Sequence, residues 1–149
     1  MGLVNRAGST IAIGVIALIT MTGCGASGGG QDSALTAAES FYNAALAGEL
    51  AEACSIVVGS DGEPLVQGTS EFASCAAGLD EQQTYFNVGY GIDKVTVSTA
   101  TINGTEATVT ADDLTGLPEG VQGEDGFALY FSTLHLAQIG DRWYVSELG

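Results

Sequence analysis

Basic side chains are scarce in this chain. Its 149 residues contain three Lys and Arg against eighteen Asp and Glu, which gives a formal net charge of −15. After Cys24, only Lys94 and Arg142 are basic. So acidic a surface repels the phosphates of nucleic acids and of anionic lipids. We therefore expect no nucleic acid among the partners of this protein.

Residues that carry catalysis or bind metals are also few. The chain has one histidine, His135, and three cysteines, none of them in a C-x-x-C pair. It contains no nucleophile elbow and no glycine-rich phosphate loop. The spacing of Cys54, Cys75 and His135 matches no zinc pattern. These absences predict a protein without a cofactor and without a metal site.

The N-terminal apolar run is too short to span a membrane. Residues 11–21, IAIGVIALITM, are nearly all apolar, whereas a spanning helix needs about 20 such residues. The h-region of a secretory signal has about 7 to 15. Arg6 precedes the run, and the small residues Thr22 and Gly23 follow it. The sequence therefore predicts a signal peptide over residues 1–23, with an uncleaved membrane anchor as the alternative.

The stretch MTGC at residues 21–24 resembles the lipobox of bacterial lipoproteins. The resemblance implies cleavage after Gly23 and a diacylglyceryl thioether on Cys24, with fatty acids such as palmitate. Two acyl chains, at about 0.8 kcal/mol per buried CH₂, anchor a protein stably. Residues 24–31 would then comprise the lipidated cysteine and a Gly-rich tether about 15 Å long. We expect a location at the extracytoplasmic face of the cell membrane, and a secreted protein with a free Cys24 thiol is the alternative.

Cys54 and Cys75 remain once Cys24 is assigned to lipid. Disulfides persist in the compartments that exported proteins reach, and an even number of cysteines favours pairing. A bridge between these two closes a loop of about 20 residues, which stabilises a fold by about 3 kcal/mol. The sequence predicts a structural disulfide between Cys54 and Cys75.

Helical patterns occupy the first half of the mature chain. Apolar residues at intervals of three and four predict a first helix that ends at Gly48. Ser33 or Thr36 is expected to cap it, and Glu39 would complete a capping box with Thr36. Two further helices are predicted, at 49–57 and from Thr69 or Ser70 onward.

Strand patterns follow Gln83. The segments TYFNVGYG (84–91) and KVTVSTATINGTEATVTA (94–111) are rich in β-branched and aromatic residues, as strands are. Asn103-Gly104 predicts a hairpin with a type I′ turn. One face of this hairpin is expected to carry Ala100, Ile102, Ala107 and Val109.

The remaining residues predict a loop and a second hairpin. Residues 112–126 are acidic and Gly-rich, which indicates a long solvated loop, with a cation site as the alternative. The second hairpin turns at Gly140, with Trp143 and Val145 facing one way and Tyr144 the other.

These elements predict an α+β domain over residues 32–149, with N-terminal helices packed on a curved antiparallel sheet of about four strands. Residues 37–57, AAESFYNAALAGELAEACSIV, and 136–148, LAQIGDRWYVSEL, resemble the opening helices and last hairpin of small NTF2-like lipoproteins of actinobacteria. The resemblance implies the NTF2-like cone fold, which serves many unrelated activities. A cystatin-like module, with one long helix on a sheet, is the alternative.

The resemblance to NTF2-like proteins also implies an interior pocket. NTF2-like enzymes carry out acid–base chemistry there. No residue of this chain is assigned a catalytic role, although His135 and Asp93 are the candidates for a base–acid pair. His135 is predicted to face away from Leu134 and Leu136, its neighbours on the strand.

Aromatic side chains of the strands would line such a pocket, unless they form a packed core without a cavity. The candidate ligand contacts are Tyr85, Tyr90, Tyr130 and Trp143. The sequence thus predicts a membrane-anchored extracytoplasmic lipoprotein that binds a small apolar ligand or an envelope protein and has no catalytic activity. An NTF2-like enzyme with acid–base chemistry in the pocket is the alternative.

Overall fold

The computed structural model describes residues 31–117 and 133–148, where three helices come first and antiparallel strands follow. This confirms the predicted α+β class. The signal sequence, Cys24, residues 25–30 of the tether and Tyr130 lie outside the described residues. The helices are α1 (Gln31–Ala47), α2 (Leu50–Ser55) and α3 (Ser70–Tyr90). The strands are β1 (Thr96–Val97), β2 (Thr101–Asn103), β3 (Glu106–Thr110), β4 (Leu114–Thr115), β5 (Thr133–Ile139) and β6 (Arg142–Leu148).

The strands of the described residues form two antiparallel sheets. The larger has four strands in the order β2-β3-β5-β6, and the smaller pairs β1 with β4. Helix α1 packs against β5 and β6 of the larger sheet and against β1 of the smaller one. None of the described helices is long and apolar enough to cross a membrane. The core therefore lies between α1 and one face of the four-stranded sheet.

Helix α1 begins a full turn earlier than its capping pattern predicts. Thr36 is inside the helix, where its hydroxyl donates a hydrogen bond to the carbonyl of Asp32 (2.8 Å). The Glu39 carboxylate accepts from the backbone N–H of Val97 (3.1 Å) instead of closing a capping box. The prediction of a cap at Ser33 or Thr36 is therefore wrong, because both residues are helical. The predicted end is confirmed, since Gly48 follows the helix with φ of +77°.

Helix α3 is longer than its sequence pattern indicates. Thr69 caps it as predicted, accepting a hydrogen bond from the N–H of Phe72 (3.3 Å). The helix then continues through residues 84–90 and ends before Gly91, which adopts a left-handed conformation. The strand predicted there is wrong, because β-branched and aromatic residues disfavour a helix by only a few tenths of a kcal/mol each. Tyr85 and Tyr90 consequently belong to a helix.

The first hairpin turns one residue later than predicted. Asn103 pairs with Glu106, so the two turn residues are Gly104 and Thr105. A type I′ turn at Asn103-Gly104 would give both residues positive φ, but only Gly104 has it (+67°). Glycine at the first turn position is typical of a type II′ turn. The predicted face is confirmed, since Ala107 pairs with Ile102 and both Ala107 and Val109 are buried.

The strand predicted over residues 94–103 is divided between the two sheets. Val95 and Val97 are buried at the smaller sheet, whose strand β1 contacts α1, and Ala100 is buried just before β2 of the larger sheet. Residues 98–100 leave the strand conformation between them. This crossing explains why apolar residues occur on both faces of the sequence pattern.

The start of the predicted acidic loop is ordered. Residues 111–113 form a single 3₁₀ turn, and Asp113 accepts hydrogen bonds from both the N–H and the hydroxyl of Thr110. Leu114 is buried and pairs with Val97. The prediction of a solvated loop is therefore wrong for its first residues, and residues 118–126 lie outside the described part.

The second hairpin agrees with the sequence. Ile139 pairs with Arg142 across the turn, and Gly140 has φ of +64°. Trp143 and Val145 are buried, while Tyr144 on the other face is half-buried.

One side chain of α1 joins the helix to the smaller sheet. The Asn43 amide accepts a hydrogen bond from the Val95 N–H through Oδ1 (2.9 Å) and donates one to the Val95 carbonyl through Nδ2 (3.0 Å). Glu39, one turn earlier, accepts from Val97. We call these contacts of Asn43 and Glu39 the α1 clasp. They satisfy both backbone groups of Val95, just before β1, and the N–H of Val97 within it.

The chain after α2 covers the outer edge of β6. The Val145 N–H donates to the carbonyl of Ile56 (2.7 Å), and the Val58 N–H donates to the carbonyl of Val145 (2.8 Å). Val57 thereby pairs parallel to β6. Just before this segment, a disulfide joins Cys54 of α2 to Cys75 of α3, with their Cα atoms 6.0 Å apart. The predicted pairing of these cysteines is confirmed.

Removing the amide of the α1 clasp tests its contribution. We expect Asn43→Ala to lower the free energy of unfolding by about 2 kcal/mol, because two partly buried hydrogen bonds are lost at about 1 kcal/mol each. Urea unfolding measures the change. Ser40→Ala is the matched control, since Ser40 is half-buried on the same helix and forms no side-chain hydrogen bond within the described residues. Equal losses of unfolding free energy in Asn43→Ala and Ser40→Ala would contradict a stabilising role of the α1 clasp.

Breaking the disulfide tests the link between α2 and α3. The bridged residues are 21 positions apart, so we expect Cys54→Ala/Cys75→Ala to lose about 3 kcal/mol of stability. Urea unfolding with and without dithiothreitol measures it. Dithiothreitol should destabilise the chain with native cysteines and leave the stability of the double variant unchanged. An unchanged urea midpoint in the fully reduced chain would refute a stabilising bridge.

Candidate functional site

The two candidate catalytic residues lie on different sides of the fold. His135 is half-buried in β5, paired with Thr108 of β3 and Glu147 of β6. It faces away from the buried Leu134, as predicted, and therefore away from α1. Asp93 is exposed and borders a groove beside α1. Helix α1 packs on the face of the sheet opposite to the one that carries His135. The structure does not bring His135 and Asp93 together.

The four candidate aromatic contacts do not form a described pocket. Tyr85 and Tyr90 belong to α3, and Tyr130 lies outside the described residues. Trp143 is the only one of the four whose side chain is described, and it is 4% exposed.

The space between α1 and the sheet is occupied by core side chains. Phe41 and Tyr42 of α1 meet edge to face, with ring centroids 5.9 Å apart. Both are fully buried, as are Leu134, Leu136 and Val145 of the sheet. Burial, with a smaller contribution from the charge of Asp113, raises the pKa of the Tyr42 hydroxyl. Tyr42 is therefore neutral near pH 7 and unsuited to act as a base.

A surface groove lies on another side of α1. It has a volume of about 660 Å³, within the range of small-molecule sites. We call it the α1–β6 groove. Helix α1, the end of α2 with the loop after it, and the β5–β6 turn border it. Its lining residues are Asp32, Ser33, Thr36, Ala37, Ser40, Ser55, Ile56, Pro64, Asp141, Arg142, Trp143 and Tyr144.

The sequence builds one side of this groove from a stripe of small residues on α1. Ser33, Thr36, Ala37 and Ser40 recur at helical spacing and so share a face of the helix. This face adjoins the buried stripe that contains Ala38. Short side chains leave space there that longer ones would fill. The sequence does not predict the groove, because small polar residues also suit an ordinary solvent-facing helix. The absence of Lys and Glu from the stripe is the one sign of open space that the helix itself carries.

Trp143 combines a core position with a position on the groove. Its side chain borders the groove, and its indole Nε1 is buried without a hydrogen-bond partner among the described residues. A buried donor without an acceptor costs about 1–3 kcal/mol, and native proteins keep few of them. Trp143 is also the only tryptophan in the chain. The indole is therefore both an unsatisfied group and a specific spectroscopic reporter.

Charged groups surround the groove without pairing. Asp32 and Asp141 supply carboxylates, and Arg142 supplies a guanidinium. Within residues 31–117 and 133–148 none of the three forms an ion pair. All three side chains are exposed, so they are free to interact with a bound molecule.

A second groove, of about 510 Å³, lies on the adjoining side of α1. Glu39, Glu49, Glu52 and Asp93 make it acidic, and Lys94 is its basic residue. Glu39 already accepts a hydrogen bond from Val97. No group of three His, Cys, Asp or Glu residues in the described part of the chain is arranged to hold a metal ion. The α1–β6 groove is therefore the better candidate site.

No protein-family model, curated protein or solved structure matches this chain, so its functional site has to be inferred from its own residues.

Proposed function

We propose that this chain is a lipid-anchored extracytoplasmic lipoprotein whose NTF2-like domain binds a small ligand in the α1–β6 groove and has no catalytic activity. The observation that carries the ligand proposal is the buried, unsatisfied Nε1–H of Trp143 beside a groove of about 660 Å³. Three helices before the sheet and the break at Gly48 support the NTF2-like cone over a cystatin-like module with one long helix.

The anchor proposal is supported by sequence and by the start of the fold. MTGC at residues 21–24 is followed by GASGGG at 25–30, and α1 begins directly afterwards at Gln31. In this proposal, residues 25–30 would form a short Gly-rich link between Cys24 and the folded domain. The Cys54–Cys75 disulfide is of a kind that persists in an oxidising compartment.

The ligand proposal follows from the cost of the unsatisfied indole. A ligand with a hydrogen-bond acceptor would recover the free energy that the buried Nε1–H loses. The nitrogen is shielded from solvent, so a ligand that reaches it must displace a neighbouring side chain. Binding should therefore change the surroundings of Trp143 strongly.

The lining of the groove also changes the expected ligand chemistry. Hydroxyls and charged groups outnumber aromatic rings there, so the ligand we propose is polar rather than apolar. No described contact places His135 or Asp93 in this groove, and we do not propose the enzymatic alternative.

The anchor is tested by mass and by cell fractionation. We expect the chain isolated from its own membrane to begin at Cys24 and to carry the added mass of fatty acyl chains. Cys24→Ser should leave the membrane fraction, because the thioether cannot form. Cys54→Ala/Cys75→Ala is the control for cysteine loss and should remain in the membrane. A mature chain that retains Met1, or that lacks acyl mass, would reject the proposed anchor.

The groove is tested with the Trp143 indole resonance in ¹H–¹⁵N spectra. We expect one chemical class from a panel of disaccharides, betaines and short fatty acids to shift this resonance saturably. Ser33→Leu should abolish the shift by filling the groove, while its urea midpoint stays unchanged. Thr101→Leu, on the exposed edge strand β2, should leave the shift intact. If no member of the panel moves the resonance, the proposed ligand site is wrong.

A further inference from the structure

We infer that the α1–β6 groove recognises a neutral polyhydroxyl compound, either a free sugar or the sugar headgroup of a lipid. This inference rests on the proposed function, because it names the ligand class of the same groove. It follows from the hydrogen-bonding requirements of the lining residues, from their charge, and from the place of the groove relative to the tether.

The groove presents both donors and acceptors whose side chains form no hydrogen bond or ion pair with other described residues. The Trp143 Nε1–H and the Arg142 guanidinium can only donate hydrogen bonds, whereas the carboxylates of Asp32 and Asp141 can only accept them. A hydroxyl group does both. Several hydroxyls on one molecule would therefore match this mixed lining, which a molecule with donors alone or acceptors alone would not.

The charges of the groove disfavour anionic ligands. Two carboxylates stand against one guanidinium, in a chain whose formal net charge is −15. A phosphate or carboxylate ligand would meet this negative potential and would offer no donor to Asp32 or Asp141. A simple cation would be attracted by this potential but would offer no acceptor to the Trp143 indole. A neutral molecule with hydroxyl groups avoids the repulsion that an anion meets and still offers an acceptor to the indole.

The hydroxyls of α1 add to this match. Ser33 and Ser40 border the groove and form no side-chain hydrogen bond within the described residues. The Thr36 hydroxyl donates to the backbone carbonyl of Asp32, and its oxygen retains acceptor capacity. Tyr144 is half-buried at the groove, and an aromatic ring offers an apolar surface to the C–H face of a sugar.

The groove lies at the end of the domain from which the tether leaves. Asp32 and Ser33, in the first turn of α1, border the groove. The segment of residues 25–30 between Cys24 and α1 has a reach of about 15 Å. The proposed anchor would thus hold the groove near the membrane surface, where both lipid-bound and free envelope sugars are accessible.

The test uses the acylated full-length chain in phosphatidylcholine vesicles and the fluorescence of Trp143. The soluble probes are maltose, cellobiose, glycine betaine and octanoate. A second set of vesicles contains diglucosyl diacylglycerol. We expect a saturable change with at least one sugar probe and none with betaine or octanoate. A response to a free disaccharide shows that a soluble sugar is sufficient for binding. A response to the diglucosyl vesicles alone shows that the ligand is a lipid headgroup. Both outcomes support the inference.

Variants connect the response to the groove. We expect Arg142→Ala and Asp141→Asn each to weaken sugar binding at least tenfold. Asp80→Asn is the matched control, because Asp80 is an exposed carboxylate on α3 outside the groove. Equal effects of Asp141→Asn and Asp80→Asn would overturn the inference. A response to betaine or octanoate without any response to sugars overturns the ligand class but keeps the proposed groove. No response to any probe overturns both.

Discussion

The two hydrogen bonds between the Asn43 amide and the backbone of Val95 join helix α1 to the chain just before β1. Glu39, one turn earlier on α1, bonds Val97 within β1. Strand β1 has only two residues and one strand partner, so its own ladder is too small to position it. With this segment fixed on α1, the chain can cross from the smaller sheet into the larger one.

Helix α1 contacts three different parts of the protein through three of its faces. Its apolar stripe, which includes Phe41 and Tyr42, fills the space above the sheet. Its polar stripe with Asn43 bonds β1, and its stripe of small residues from Ser33 to Ser40 borders the α1–β6 groove. Each stripe follows from helical spacing, and their arrangement around one axis places a polar groove directly beside a packed core.

The sequence predicted the features that depend on local spacing. The order of elements, the cap at Thr69, the disulfide and the alternation around Trp143 all follow from periodicity or from cysteine number. The features it missed depend on contacts between distant segments. The pattern predicts Ser33 or Thr36 as a cap, because nothing in the neighbouring residues shows that the helix starts earlier. It predicts a shorter α3, because tertiary packing, which overrides weak strand propensity, is not visible in the sequence. The α1–β6 groove could not be predicted, because its two sides are about a hundred residues apart in the chain.

The segment that covers the edge of β6 links the disulfide to the α1–β6 groove. Ile56 borders the groove and also accepts a hydrogen bond from Val145, two residues beyond Trp143. Cys54, which is bridged to α3, lies two residues before Ile56. Oxidation of the thiols thus restrains one wall of the groove through a few covalent bonds of backbone. If the chain is exported as we propose, this wall of the groove would become restrained only after the chain crosses the membrane, and not during synthesis.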